Sequence, residues 1–350
     1  MAYTTIDNPF KFFNTKLYTG TDTSQSLTGV GFQPDWTWIK CRSNGNSNFP
    51  NILSDAVRGV NKILRSDTTD TEVSDYSQGY VSAFDSDGFT VTAQDGVSGI
   101  GRTYVAWNWL AGNSTSSNGD GSITSTVSAN TTAGFSIVSY TGTGANATVG
   151  HGLGVKPDMI INKTRDSTAQ MWSVYHSSLG ATKHLGLDRT NAEDTGSAYY
   201  QDTEPTSSVF SVGSEAATNY SSAALIAYCF AEKKGYSKFG SYTGNGNADG
   251  TFIYTGFKPA WIMIKRYDGG SNNWLILDNK RSPINEMDDG LFPDANSAEG
   301  TGYKCDFLSN GFKWRLSGSG ENGSGYTYIY MAFAEAPFVT SGTKAAGTAR

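Results

Sequence analysis

Four short landmarks recur three times in the same order along this chain, and that triplication constrains its fold more than any other feature. The first is a Tyr-Thr-Gly ending: Tyr18-Thr19-Gly20, Tyr140-Thr141-Gly142 and Tyr242-Thr243-Gly244. The second is a Gly-x-x-Pro turn leading into an apolar stretch that ends in lysine: Gly31 to Lys40, Gly154 to Lys163 and Gly256 to Lys265. The third is a short segment around Phe89, Phe210 or Phe312. The fourth is an apolar closing segment: Tyr104 to Trp109, Leu225 to Phe230 and Ile329 to Phe333. Intervals between landmarks are nearly equal in the three copies, so each copy is one unit of roughly a hundred residues.

The units divide the chain into an N-terminal arm (1–13), a first repeat (14–111), a polar linker (112–133), a second repeat (134–235), a third repeat (236–338) and a C-terminal tail (339–350). The linker is rich in Ser, Thr, Asn and Gly, a composition expected to stay flexible or to drape over a neighbour. The second and third repeats meet with almost no spacer and are expected to pack tightly.

Alternation such as Trp36-x-Trp38, Trp261-x-Met263 and Phe312-x-Trp314 places successive side chains on opposite faces of a sheet. Residues 52–65 carry apolar residues at helix-like intervals. Their counterparts Trp172 to Leu187 read as strand, turn, strand, so strands are expected in all three copies. With 41 glycines, 13% aromatic residues and only 17% charged residues, against roughly 25% charged in an average domain, the chain suits short strands and tight turns. The expected fold is all-β: three tandem antiparallel β-sandwich units, jelly-roll-like.

Composition also narrows function. A net charge of −6 without a dense basic cluster gives counterion release no source and argues against nucleic-acid binding. No apolar stretch reaches the ~18 residues of a membrane span, and the N-terminus lacks the apolar run of an export signal. Cys41, Cys229 and Cys305 are odd in number and far apart, which fits buried thiols made in a reducing cytoplasm and neither a disulfide framework nor a metal pattern.

Candidate chemistry is sparse. His151, His176 and His184 all lie in the second repeat, and Asp55 and Ile63 stand at the places of His176 and His184 in the first; a catalytic or metal role would require the three to converge. No HExxH, GxSxG or Walker pattern occurs, and the carboxylates of a glycan hydrolase would have to be drawn from acids spread evenly over the units. Asp85-Ser86-Asp87-Gly88 and Asn245 to Gly250 resemble pieces of a calcium loop but lack its full oxygen series, and read as turns; no cofactor is expected. Asp55 with Arg58 recurs as Asp278 with Arg281, and the expectation is a local ion pair or a recurrent surface contact. Tyr199 and Tyr200, close to a turn, are the aromatics best suited to stack on a glycan or partner.

The chain resembles a β-repeat family of tailed bacteriophages of marine bacteria. The resemblance rests on Asp7-Asn8-Pro9, Val30 to Asp35, Tyr104 to Ala111, Gly150 to Gly154, Ala227 to Glu232 and Gly235 to Gly244. It implies a non-enzymatic protein of the virion surface, tail-associated and receptor-binding, with capsid decoration or glycan depolymerisation as alternatives. Its implied partners are other virion proteins, further copies of itself in a homo-oligomer with a trimer favoured, and host surface glycans.

Overall fold

A computed structural model describes residues 3–43 and 49–340. Among the described residues strands dominate, every strand pair is antiparallel, and no sheet closes into a barrel. The three short α-helices among the described residues, Asp95–Ser98, Ser197–Tyr200 and Ala216–Asn219, are single turns.

Each unit builds one large sheet around its closing strand. In the first unit Thr103–Trp109 lies between Phe13–Thr19 and Trp36–Cys41; in the second Ala224–Phe230 lies between Phe135–Thr141 and Met159–Thr164; in the third Thr327–Pro337 lies between Ser237–Thr243 and Phe257–Arg266. Register is conserved among the copies: Trp36 opposes Trp109, Met159 opposes Phe230, and Trp261 opposes Phe333. A smaller sheet faces each large one: Gln25–Thr28 with Gly88–Val91 and Val81–Asp85, Ala147–Gly150 with Val209–Val212, and Phe252–Tyr254 with Gly311–Trp314 and Cys305–Leu308. Alternation sends Ile39, Ile52 and Tyr104 of the first unit toward Leu27, Phe89 and Val91 of its small sheet, forming a private core. The second and third units each have such a core.

The opposite face of all three large sheets is equally apolar, and there the units share one core. Trp36, Trp38, Trp107 and Trp109 meet Phe135, Tyr228 and Phe230 from the second unit and Trp261, Trp274 and Phe333 from the third. Covering both faces explains why the closing strands are apolar on both rows of side chains. The N-terminal arm joins this assembly: Ile6 and Phe13 enter the shared core, and the Tyr3 hydroxyl donates to the carbonyl of Gly256 in the third unit.

The landmarks acquire physical reasons. The hydroxyls of Tyr18, Tyr140 and Tyr242 each donate to a backbone carbonyl in the turn before the closing strand, at Val97, Thr218 and Glu321. The glycine that follows lies so close to that turn that a Cβ would stand 2.2 Å from Gly99 O at Gly20, 2.1 Å from Tyr220 O at Gly142 and 2.4 Å from Gly323 O at Gly244. Gly142→Ala must therefore displace backbone, and a loss of about 1–3 kcal/mol is expected, read as a lower urea midpoint. The turn glycines Gly31, Gly154 and Gly256 have φ of 92°, 71° and 80°, which only glycine adopts freely.

Two expectations change. The linker holds strands at Ser116–Asn118 and Ser125–Asn130, which extend the large sheet of the second unit; an edge strand needs only backbone partners and one apolar row, which Val127 and Ile123 supply. Strands at Ile52–Asp55 and Lys62–Arg65, like Ser173–His176 and Lys183–Gly186, form as expected, but in the third unit the second of the pair shrinks to a single bridge between Ile276 and Leu291. The C-terminal tail falls outside the described residues from 341 onward.

Candidate functional site

The three units join through polar contacts that close a ring, first to second, second to third, third to first. Each strand-end lysine lies at one joint. Lys40 donates to Phe49 O of its own unit (2.5 Å) and to Asn296 O of the third (2.9 Å). Lys163 donates to Gln170 O (2.5 Å) and to Thr69 O of the first (2.8 Å), and Lys265 to Asn272 O and to Thr190 O of the second. Burial lowers all three ammonium groups from their ordinary value to about 8.

Asp55, Arg58, Asp278 and Arg281 lie buried at the joints, not on the surface. Arg58 Nε meets Asp55 Oδ2 at 2.5 Å and Arg281 Nε meets Asp278 Oδ2 at 2.5 Å, all four side chains being wholly buried. The same carboxylates reach across a joint: Tyr228 of the second unit donates its hydroxyl to Asp55 (2.7 Å), and Trp107 of the first donates its indole N–H to Asp278 (3.0 Å). Glu72 then pairs with Arg165, and Glu299 with Arg42, across those two joints. At the third joint His176 and Leu179 replace Asp and Arg, Met331 stands where Trp107 and Tyr228 do, and His176 Nε2 lies 3.2 Å from Tyr330 O, while the glutamate persists as Glu193, whose N–H donates to Tyr267 O. A signal for this was present in the sequence, because Trp107, Tyr228 and Met331 change together with the residues they face.

The histidines do not converge. His151 bonds near Thr206 and Leu153, His176 sits at a joint, and His184 stacks on Tyr199 with centroids 3.5 Å apart. Among the described residues no three His, Cys, Asp or Glu side chains gather as metal ligands. The calcium-like turns use their oxygens internally: Asp87 accepts from the backbone N–H of Gly29 and Gly31, and Asp249 pairs with Lys313 and Arg315. Cys41, Cys229 and Cys305 are buried free thiols.

The two candidate tyrosines separate. Tyr200 is buried, its hydroxyl 2.9 Å from Ser173 Oγ, so it belongs to the private core and cannot serve as a platform. Tyr199 instead borders an open cavity of about 250 Å³ with Met171, His184, Arg189, Asn191 and Glu193. His184 is 4% exposed, and burial lowers its imidazole to about 4, so it is neutral at neutral pH.

A second surface is specific to the third unit. Phe252 and Tyr254 flank the inward Ile253 and are 43% and 55% exposed. Ile253 opposes Phe312 as Leu27 opposes Phe89 and Val149 opposes Phe210, so the equivalents of this aromatic pair are Ser26 and Thr28 in the first unit and Thr148 and Gly150 in the second. Aligning the small-sheet strands of the repeats would have singled them out.

Fold and site together define an all-β protein of three units interlocked by buried polar joints, whose exposed features differ from unit to unit. A family model described as a domain of unknown function (DUF7483) matches residues 8–337, and the chain belongs to that family. No curated protein and no solved structure matches the chain.

Proposed function

We propose that the chain is a non-catalytic structural protein of a bacteriophage virion, tail-associated and receptor-binding, built from tandem β-sandwiches of jelly-roll-like kind. The observation that carries this reading is the contrast between frame and surface. Register, lysine joints and turn glycines repeat in all three units, whereas the exposed aromatic pair of the third and the polar lining of the cavity in the second do not. A rigid frame presenting unlike surfaces suits attachment, and further copies in a homo-oligomer, a trimer favoured, would add weak contacts together. On this reading the chain is made in the host cytoplasm and stands on the virion surface beside other virion proteins and host glycans, a reading the motif resemblance supports.

Cryo-EM of the particle tests the position: density for this chain at the tail supports the reading, and density on capsid faces replaces it with decoration. Reducing ends released from host polysaccharide by the purified protein would replace it with depolymerase activity. The aromatic pair supplies a finer test. Phe252→Ser with Tyr254→Thr restores the residues of the first unit, so stability is expected to change by less than about 0.5 kcal/mol, while adsorption of particles to host cells falls. Unchanged adsorption would remove this surface from the contact.

A further inference from the structure

We infer that the cavity bordered by Tyr199 in the second unit is a binding site for one neutral sugar residue. The argument starts from the same place in the other units. Lys62, Leu64, Asp67 and Thr69 align with Lys183, Leu185, Asp188 and Thr190, so Arg65, Thr68 and Asp70 correspond to Gly186, Arg189 and Asn191. In the first unit Arg65 fills the place: its Nη2 pairs with Asp70 at 2.6 Å, and its guanidinium lies 5.1 Å from the centroid of the Tyr76 ring. In the second unit Gly186 removes that side chain, the Arg189 side chain lies over the glycine, and the opening remains beside them. The third unit is also open there, but Phe292 and Tyr303 line it.

What borders the second-unit cavity matches a polyol. Tyr199 and Met171 offer apolar surface, the Tyr199 ring being backed by His184. Arg189 brings a donor of positive charge, Asn191 both a donor and an acceptor, and Glu193 and Asp194 bring acceptors of negative charge. Hydroxyl groups donate and accept, so they use such a mixed set fully, whereas an acidic ligand would face Glu193 and Asp194. The polar wall is held in place, because Lys183 Nζ pairs with Glu193 Oε1 and the Tyr199 ring is stacked on His184. At about 250 Å³ the opening lies below the ~300–1,000 Å³ of drug-sized pockets, which limits the occupant to a single ring. The site deepens the receptor-binding reading and rests on it for the choice of sugars.

The test is saturation-transfer NMR on the full chain with the methyl glycosides of glucose, galactose, mannose and N-acetylglucosamine, and with methyl glucuronide as the acidic comparator. Transfer to at least one neutral glycoside is expected, with affinity about tenfold weaker in Tyr199→Ala and in Glu193→Gln. The triple variant Gly186→Arg, Arg189→Thr, Asn191→Asp imports the filled arrangement of the first unit and is expected to abolish transfer while its melting temperature is kept. No transfer from any neutral glycoside, stronger binding of the glucuronide, or binding that survives both Tyr199→Ala and Glu193→Gln would overturn the site. Failure of the triple variant to fold leaves the decision with those two single variants. Absence of the chain from the tail would instead remove the receptor reading while leaving measured sugar binding in place.

Discussion

Arg58→Leu is expected to destabilise the protein by about 3–5 kcal/mol, because it leaves Asp55 charged and buried with the Tyr228 hydroxyl as its remaining side-chain partner. The cause is desolvation: an ammonium, guanidinium or carboxylate removed from water is tolerated inside only while its partner compensates it. The triplication provides a control that few proteins contain. The joint between the second and third units carries His176, Leu179 and Met331 in place of Asp55, Arg58 and Tyr228, with Tyr267 in place of Arg165. The triple variant Asp55→His, Arg58→Leu, Tyr228→Met is therefore expected to recover most of what Arg58→Leu alone loses. Glu72 keeps Arg165 as a partner in both variants. Urea denaturation with an unchanged m-value would measure both. If the triple variant is no more stable than the single one, the joints are not interchangeable sets, and the cyclic arrangement does not govern stability as argued.

The class of fold and the repeat itself were legible because they depend on local pattern: alternation, turn glycines and recurrence. The joints were less legible, since a charged pair three residues apart is ordinarily a solvated one, and nothing near Asp55 in sequence announces Tyr228. Their burial follows from long-range packing of three sheets on a shared core. Tyr199 and Tyr200 show the same limit at a finer scale. They are consecutive residues of a single helical turn, where successive side chains point about 100° apart, so one enters the core and the other borders the cavity. The linker's strands were hidden for a different reason. Its Ser, Thr and Asn residues describe poor burial, but Thr126 to Asn130 needs little burial because its backbone pairs with Phe135 to Ser139.

Raising the pH from about 7.5 to 9 is expected to stabilise the protein, and the lysine joints are the cause. Lys40 and Lys163 titrate near 10.5 when unfolded and near 8 when folded, since burial disfavours their charged form. Between those values the unfolded chain binds more protons than the folded one, so stability rises with pH. Below about pH 8 the penalty of burying both ammonium groups is present in full; above it the folded groups deprotonate and the penalty is relieved, by about 1 kcal/mol for each lysine up to pH 9. Lys265 shifts in the same direction beside Asp294, which burial raises to about 7. Acid-side groups act elsewhere: Asp35, raised to about 6, removes stability as pH climbs from about 4, while His176 and His184, lowered to about 4, restore it up to about 6.5. Beyond pH 9 the trend turns over, because the buried thiols of Cys41, Cys229 and Cys305 and phenols such as Tyr140 and Tyr228 are held above their ordinary values and ionise first in the unfolded chain. A urea midpoint that is higher at pH 9 than at pH 7.5, with a smaller rise in Lys163→Met, is the expected result. A midpoint that falls steadily across this interval would mean that the carbonyl cages of the lysines hold the charged form better than burial opposes it.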